Sequence, residues 1–355
     1  MAWQGISGHD AIVEQFRRSL SRGRLASTYL FVGPEGVGKR SFAERLAQTL
    51  LCPEREVVAM APCGVCPSCR QVVSGSHPDL LTIEKPADRN VLPIELFVGS
   101  RDHRMQQGLC HDIGLKPFMG RRRVAIIDDA EHLNEESANC LLKTLEEPPP
   151  FSLLILCATS EEQVLSTIRS RCQMIRFRGL PTDVVADLIV KQGIVTERSA
   201  AERLAEYAEG SLGRARDVAD GELWEFRGKL LAALARGPID APRLSVVVAK
   251  FIDQAGREAV ARRHRARYVV RFTIEFYRAL TRSLCGATPA TDHELSAAVE
   301  QAVSHFSAGV DAAVSCVDRS LEALDHIGRY AHQSAWLECW LNDLAEHTRG
   351  VGSAV

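Results

Sequence analysis

The sequence predicts an α/β fold with a parallel sheet, followed by a region that is helical throughout. Residues 1–180 alternate short apolar runs with segments of helical period, and strand-like runs stop after GLPTD (179–183). Runs rich in Val, Ile and Leu are typical of strands that are buried on both faces. Helices between them supply the crossovers that parallel strands need. We therefore expect a sheet that is covered by helices on both faces.

Four apolar runs are the predicted strands, and two helices can be bounded between them. The predicted strands are TYLFVG (28–33), RRVAIIDDA (122–130), FSLLILCAT (151–159) and CQMIRF (172–177). Helical period marks SFAERLAQTLL (41–51) and NEESANCLLKTLEE (134–147). Three prolines follow the second helix and cannot continue it.

Composition narrows the class of protein. The chain has 355 residues, of which 46% are hydrophobic and 25% charged, and its formal net charge is -2. These values are ordinary for a globular protein of two or three domains and give no overall attraction to nucleic acid or membrane. No run approaches the roughly 18 apolar residues of a membrane span, and the start lacks the pattern of a signal peptide. We expect a cytoplasmic protein whose eleven cysteines are thiols or metal ligands.

The stretch GPEGVGKRS (33–41) matches a phosphate-binding loop with one departure. It follows a predicted strand and precedes a predicted helix, which is the context that phosphate binding requires. The residues of this candidate nucleotide site are Gly33, Gly36, Gly38, Lys39, Arg40 and Ser41. Arg40 stands where a hydroxyl normally ligates magnesium, and it carries hydrogen-bond donors only. Ser41 is rotated by about 100° around the helix. We expect ATP hydrolysis to be very slow or absent; the alternative is a loop that keeps only its structural turn.

Two acidic residues, Asp128 and Asp129, lie at the carboxyl end of the second predicted strand, RRVAIIDDA. The carboxyl ends of parallel strands are where ligands bind in such sheets. In ATPases of this layout the first acid supports magnesium and the second, usually Glu, orients the attacking water. Asp129 is one methylene shorter. The alternative is a solvated acidic turn that helps to start the next helix.

Four cysteines form a compact module within residues 52–72. Cys52, Cys63, Cys66 and Cys69 have the spacing C-x10-C-x2-C-x2-C. Two-residue gaps let neighbouring thiolates converge on one tetrahedral ion, and four sulfurs leave no position for water. The spacing therefore predicts a structural zinc site. An iron–sulfur cluster is the alternative, because C-x2-C-x2-C also occurs there.

Longer stretches of the chain resemble the bacterial clamp-loader family of AAA+ proteins, which includes the delta-prime and gamma/tau subunits of DNA polymerase III. The resemblance rests on ANCLLKTLEEPPPFSLLILCATSEEQVLSTIRSRCQMIRF (138–177), on CGVCPSC in the cysteine module, and on GISGHDAIVEQFRRSLSRGRLASTYLFVGPEG (5–36). It covers roughly residues 1–220. Beyond them only the helical character is similar.

The resemblance implies three domains and a set of partners. It implies an AAA+ core over 1–179 with the zinc module inserted, a helical lid over 180–222, and a C-terminal helical collar over 223–348 through which five subunits form a ring. Such a ring uses ATP to open a sliding clamp and to place it on primed DNA. The implied partners are the other clamp-loader subunits (gamma/tau and delta), the sliding clamp and, through the complex, primer-template DNA.

The resemblance also implies roles for single residues. Arg171, in the motif SRC, would reach the ATP of a neighbouring subunit, where a fixed cation stabilises the transferred phosphoryl group. Thr159 matches a sensor of the gamma-phosphate, and Arg214 resembles the second sensor on the lid. Arg40 and Asp129 depart from the gamma/tau pattern while Arg171 is kept. This combination resembles the delta-prime kind of subunit; an autonomous ATPase of the gamma/tau kind is the alternative.

Overall fold

The structure, a computed structural model, describes residues 3–86, 89, 91–104, 106–287, 292–328 and 332–349. The chain divides into two compact units, Met1–Arg216 and Asp217–Val355. Across the described ranges, no helix is long and apolar enough to span a membrane. The domain boundaries implied at 179/180 and 222/223 remain predictions.

A parallel sheet forms the centre of the N-terminal unit. Its strands are β1 (Thr28–Val32), β2 (Leu80–Ile83), β3 (Arg123–Ile127), β4 (Ser152–Ala158) and β5 (Gln173–Arg176). The strands lie in the order β2-β3-β4-β1-β5, and every neighbouring pair is parallel. The predicted fold class and the four predicted strands are confirmed, whereas β2 was not predicted. Because all strands are parallel, their carboxyl ends lie together at one end of the sheet.

Helices of the N-terminal unit lie before, between and after the strands in sequence. They are α1 (Asp10–Ser21), α2 (Lys39–Leu51), α3 (Pro67–Val73), α4 (Glu95–Val98), α5 (Leu109–Asp112), α6 (Glu135–Glu146), α7 (Ser166–Arg169), α8 (Thr182–Lys191), α9 (Arg198–Ala208) and α10 (Leu212–Val218), which crosses the boundary between the units. The two predicted helices correspond to α2 and α6, with ends shifted by one or two residues. Asn134 caps α6 by accepting a hydrogen bond from the Ser137 N–H at 2.8 Å.

The sheet is covered on both faces, as the sequence predicts. Along β1, Tyr29 and Phe31 point into one apolar cluster, which also holds Phe16 and Phe42. Leu30 and Val32 point into a second cluster on the opposite face. This alternation follows from the two-residue period of a strand. The buried clusters hold the strand ends, and the loops that follow them, in fixed positions.

A buried carboxylate, Asp79, anchors the turn that leads into β3. Its oxygens accept hydrogen bonds from the N–H groups of Phe118 (2.6 Å), Met119 (2.7 Å) and Gly120 (2.8 Å), and Arg123 Nε lies 3.6 Å away. Desolvation raises the pKa of Asp79, but the three N–H groups and Arg123 outweigh it, and the pKa is lowered overall. The turn is thereby ordered although the Phe118 side chain is exposed.

The C-terminal unit is helical across its described residues. After α10 come α11 (Gly221–Ala235), α12 (Ala241–Asp253), α13 (Ala259–Leu284), α14 (His293–Val303), α15 (Gly309–Gly328) and α16 (Gln333–Thr348). The long helix α13 packs against α11, α14 and α15. Arg227 of α11 is fully buried and forms ion pairs with Asp292 and with Glu294, the latter at 3.0 Å. This unit therefore has its own core and its own buried charges.

Candidate functional site

The loop between β1 and α2 has the conformation of a phosphate-binding turn. Gly36 (φ 74°) and Gly38 (φ 99°) adopt left-handed backbone angles, which glycine tolerates best. Lys39 Nζ donates to the carbonyls of Gly33 (2.7 Å) and Pro34 (2.9 Å), and the residue is only 8% exposed. Burial lowers the pKa of Lys39. The predicted loop glycines and lysine therefore lie together at the carboxyl end of β1.

The start of α10 rests directly on this loop. The Gly213 N–H donates to the Gly36 carbonyl at 3.2 Å. A Cβ atom on Gly36 would lie 2.4 Å from Ser211 Oγ and 2.9 Å from Gly213 Cα. The loop and the helix can approach this closely because both positions lack side chains.

Arg40 lies among three carboxylates. Its Nε donates to Glu44 at 2.9 Å, its second terminal nitrogen pairs with Glu84, and its first lies 3.5 Å from Asp128 Oδ2. These partners belong to three elements: Glu44 to α2, Glu84 to the end of β2, and Asp128 to the end of β3. Hydrogen bonding to Glu84 is the main reason why the pKa of Arg40 is raised. The guanidinium is thus a permanent cation between the helix and the two strand ends.

The acidic residues that follow β3 form the opposite wall of the site. Burial raises the pKa of Asp128, and Arg40 opposes this rise. Burial also raises the pKa of Asp129, with the Asp128 and Glu131 carboxylates adding to it. Glu131 Oε1 accepts hydrogen bonds from the Thr159 hydroxyl at 2.7 Å and from its N–H at 3.2 Å. The predicted sensor Thr159 is therefore tied to a carboxylate that lies beside the strand end.

These residues surround a cavity of about 420 Å³, a volume within the range of small-molecule sites. The predicted residues that line it are Gly36, Gly38, Lys39, Arg40, Ser41, Asp128, Asp129 and Thr159. Arg214 lies over the ring of Tyr207 and pairs with Glu209 at 3.1 Å. Arg216, two residues further on, lines the cavity and donates to Gln192 at 2.6 Å.

The residues around this cavity do not fit a magnesium ion. A divalent ion here would need oxygen ligands from the residue after the loop lysine and from Asp128. Arg40 offers donors only, and its guanidinium is already paired with Asp128. Arg40 instead supplies part of the positive charge that such an ion would bring.

Arg171 lies at the opposite end of the sheet, where the strands begin. Its carbonyl accepts a hydrogen bond from Thr28 Oγ1 (2.8 Å) at the amino end of β1, whereas the phosphate loop follows the carboxyl end of that strand. Its Nε donates to Glu146 at 2.7 Å, and its first terminal nitrogen donates to the Thr167 carbonyl at 2.9 Å and to Ser170 Oγ at 3.2 Å. The guanidinium is partly exposed and well oriented, and it lies apart from the chain's own cavity.

The four predicted metal ligands converge. The Sγ atoms of Cys52, Cys63, Cys66 and Cys69 all lie within 4.8 Å of one another, and those of Cys63 and Cys69 are 3.9 Å apart. Four sulfurs at the usual zinc–sulfur distance would be separated by about 3.8 Å. The cluster can therefore hold a tetrahedral metal ion.

Backbone hydrogen bonds prepare these sulfurs as ligands. The Cys66 N–H points to Cys63 Sγ at 3.3 Å, and the Cys69 N–H points to Cys66 Sγ at 3.4 Å. Hydrogen bonds from the Val65 and Cys66 N–H groups lower the pKa of Cys63 to about 6. Burial raises the pKa of Cys66, which a bound cation would reverse. Outer hydrogen bonds of this kind are typical of metal sites.

Several residues of these sites carry no signal that sequence reasoning could use. Glu84 and Glu146 matter because of the arginines that they face, which lie 44 and 25 positions away. Glu44 is an exception, since its i,i+4 spacing from Arg40 on a helix could have indicated that pair. For Arg216 a signal also exists. Shifting the match to the second sensor after Gly213, from Arg214 to the next arginine, could have indicated Arg216.

A family model described as "DNA polymerase III, delta subunit" matches residues 8–181. The chain is 30% identical over 263 residues to the tau subunit of DNA polymerase III from Escherichia coli K12, which covers 72% of this chain and 39% of that protein. It is 34% identical over 151 residues to the delta-prime subunit from Pseudomonas aeruginosa, covering 42% of this chain and 43% of that protein.

Among solved structures, a gamma subunit-related protein of DNA polymerase III from Thermotoga maritima is similar with a TM-score of 0.43 and 15% identity, covering 95% of this chain and 99% of that one. The sheet and the loop after β1 define an AAA+ type of nucleoside-triphosphatase fold. With these sequence matches, the chain belongs to the clamp-loader family of DNA polymerase III subunits. It spans about two fifths of the length of the E. coli tau subunit.

Proposed function

We propose that this chain is a clamp-loader subunit of the delta-prime kind. In this role it would take part in a five-membered ring with gamma/tau and delta subunits, and the ring would use ATP to place a sliding clamp on primer-template DNA. Its own contribution would be an arginine supplied to the nucleotide of a neighbour. Turnover of ATP in its own pocket would be weak or absent.

Arg40 is the observation that carries this proposal. The delta-prime and gamma/tau kinds differ in whether the chain can use magnesium-bound ATP. Arg40 has no acceptor for a metal ion, and it occupies Asp128, the acid that would otherwise support one. Asp129, which stands in place of the usual Glu, is shorter and has its pKa raised by burial. A pocket built in this way favours a subunit that assists catalysis elsewhere.

The position of Arg171 supports action in trans. The backbone of Arg171 lies at the amino end of β1, at the opposite end of the strand from the chain's own phosphate loop. Glu146, Thr167 and Ser170 restrict its rotamers. A guanidinium that is oriented beforehand loses less entropy when it contacts a phosphate. Such a fixed cation stabilises the charge that develops during phosphoryl transfer.

Two further parts of the proposal concern the metal and the C-terminal helices. We assign zinc to the four-cysteine cluster because four thiolates with tetrahedral spacing suit it best. With four protein ligands such an ion is structural. The helices of residues 223–348 would form the collar that joins the subunits.

An autonomous ATPase of the gamma/tau kind is the second candidate. The similarity to the E. coli tau subunit, over 72% of this chain, favours it. The two candidates differ in a direct measurement. The isolated chain of a gamma/tau kind would hydrolyse ATP in the presence of magnesium, and Lys39→Ala would abolish this activity.

The trans role of Arg171 is tested in a ring reconstituted from this chain with its gamma/tau and delta partners. Arg171→Ala should lower the DNA-stimulated ATPase rate by about tenfold or more at the site that the arginine serves, since an arginine finger contributes ~10³-fold or more. Single-turnover kinetics resolve that site from the others. Nucleotide binding and ring assembly, followed by fluorescence and by size-exclusion chromatography, should be unchanged.

Arg176→Ala is the control, because Arg176 is also an ion-paired arginine of the N-terminal unit, bound to Glu161, but it lies at the carboxyl end of β5, away from Arg171. It should leave turnover within twofold of the unmodified ring. Full single-turnover activity with Arg171→Ala would reject the trans role. Magnesium-dependent hydrolysis by the isolated chain would favour the gamma/tau kind instead.

A further inference from the structure

The nucleotide pocket differs from a magnesium-dependent one in its distribution of charge. Asp128 and Glu84 lie at the ends of two adjacent strands, and Arg40 bridges them while also bonding Glu44 of the same helix. The guanidinium thus makes the connection between helix and strand ends that a divalent ion makes in related pockets. It brings one positive charge where the ion would bring two.

The phosphate-binding side of the pocket is intact. Gly36 and Gly38 keep the left-handed backbone of the turn, and Gly38 starts α2 without a side-chain cap, which leaves the first N–H groups of the helix to a ligand. Lys39 lies in the cavity wall, bonded to carbonyls and to no carboxylate among the hydrogen bonds described. Arg216 adds a third positive side chain to the lining. These groups suit the inner phosphates of a nucleotide.

The acidic side of the pocket opposes an additional phosphate. Asp128, Asp129 and Glu131 all line the cavity, and a single guanidinium faces the first of them. Burial and mutual repulsion already disfavour the charged form of Asp129. Glu131 Oε2 is buried and, among the described residues, has no hydrogen-bond partner. Without a divalent ion, a gamma-phosphate at this end would meet three carboxylates whose charge Arg40 and Lys39 offset only in part.

The geometry points to a metal-independent site for a nucleoside diphosphate, in which Arg40 replaces magnesium. The loop, Lys39 and Arg216 hold the two phosphates, and Arg40 holds the strand ends in place. The site therefore prefers the diphosphate to the triphosphate and gains nothing from magnesium. This inference does not depend on Arg171, which lies at the opposite end of the sheet, where the strands begin.

Binding of fluorescent ADP and ATP to the full-length isolated chain tests this site, with excess EDTA or with millimolar magnesium. The dissociation constant for ADP should change less than twofold between the two conditions. ATP should bind at least tenfold more weakly than ADP in both. Failure of this binding test would leave the ring experiment on Arg171 unaffected, because the two use different preparations and different residues.

Arg40→Thr restores a hydroxyl after the loop lysine and removes the guanidinium. We expect ADP binding in EDTA to weaken at least tenfold, and magnesium to restore most of it. Arg45→Thr is the control, since Arg45 lies on the same helix and hydrogen-bonds to Gln48; its ADP binding should match the unmodified chain. Circular dichroism establishes that both variants are folded.

Three results would overturn the inference, and the unmodified chain alone can give each of them. They are an ADP affinity that rises tenfold or more with magnesium, an ATP affinity equal to that for ADP, and no binding of either nucleotide at millimolar concentration. Loss of ADP binding with Arg45→Thr would also contradict a specific role of Arg40.

Discussion

Asp79 shows how one residue can fix a turn that other interactions would leave loose. The turn at Phe118–Gly120 exposes apolar side chains, so burial contributes little to its order. Three N–H groups that point to one buried carboxylate order it instead. Charge-assisted hydrogen bonds of this kind are stronger than neutral ones. The sequence around Asp79, SHPDL, gave no indication of this role, because the groups that it binds lie about 40 positions away.

Asp79→Asn should destabilise the N-terminal unit by about 2 to 4 kcal/mol, because it removes the charge from a buried, fully hydrogen-bonded group. The lowered pKa of Asp79 also predicts a pH dependence. Since the folded pKa is below the unfolded one, this stabilisation is fully present above the unfolded pKa, about 3.9, and is lost as the pH falls through the folded pKa. Urea unfolding between pH 7 and pH 3 measures both effects.

The Asp79→Asn variant should show a flatter loss of stability with falling pH than the unmodified chain. Asp102→Asn is the matched control, because Asp102 is exposed and lies in a short 3-10 turn of the same unit. It should change the unfolding free energy by less than about 0.5 kcal/mol. Equal effects of the two substitutions would show that the buried, hydrogen-bonded carboxylate of Asp79 stabilises the unit no more than an exposed one does.

Among the elements, the strands with long apolar runs were predictable and β2 was not. β3 and β4 are wholly buried, so their sequences are nearly all Val, Ile, Leu and Ala. β2 has four residues, lies at the edge of the sheet, and is only partly buried. Hydrogen bonding to β3 stabilises β2, and this pairing cannot be seen in the sequence of β2 itself. A four-residue apolar run cannot be assigned by period alone.

Helix α3 depends on the cysteine cluster. Cys66 is its N-cap, and the Sγ atom accepts the Cys69 N–H. If the cluster holds zinc as proposed, Cys66→Ser should reduce the metal content from about one ion per chain to a small fraction of that value. It should also lower the thermal midpoint, because the binding of a structural ion stabilises the folded state. Elemental analysis and thermal unfolding provide the two readings.

Cys285→Ser is the control for the metal prediction, since Cys285 is exposed and lies outside the cluster. It should retain the full metal content. Iron with visible absorbance in the unmodified chain would indicate an iron–sulfur cluster instead of zinc. A chain purified without chelators that holds no metal would contradict the assignment of any ion.

At the scale of the whole molecule, the two compact units should respond separately to substitutions in their cores. Arg227→Met leaves two carboxylates of the C-terminal unit without their buried partner. Because the side chains of Asp292 and Glu294 remain 17% and 47% exposed to water, the cost should lie below the ~3 to 5 kcal/mol of a fully buried pair. Hydrogen exchange followed by mass spectrometry should therefore become faster in α11 and α14, while the protection of residues 3–208 stays unchanged.

Lys229→Met is the matched control on the same helix, because Lys229 forms an exposed ion pair with Glu225. Its effect on exchange should be small, as for most surface ion pairs. Faster exchange throughout the N-terminal unit with Arg227→Met would mean that the chain unfolds as a single cooperative unit.

The sequence predicted the groups that form the candidate site, but it did not predict most of the contacts between their side chains. The loop, the strand-end acids and the cysteines were predicted from local patterns, and the structure brings each group together. The pairing of Arg40 with three carboxylates was not predicted, since it joins residues from positions 40 to 128. Side-chain pairs between distant segments follow from the fold and leave no local trace in the sequence.

The hydrogen bond between Gly36 and Gly213 has a consequence for how this chain can signal. A ligand drives a shape change only to the extent that it binds one arrangement better than another. The phosphate loop is bonded directly to the first turn of α10, so a ligand that shifted the loop would have to shift that turn with it or break the bond. Any nucleotide-dependent movement of the loop is therefore coupled to α10.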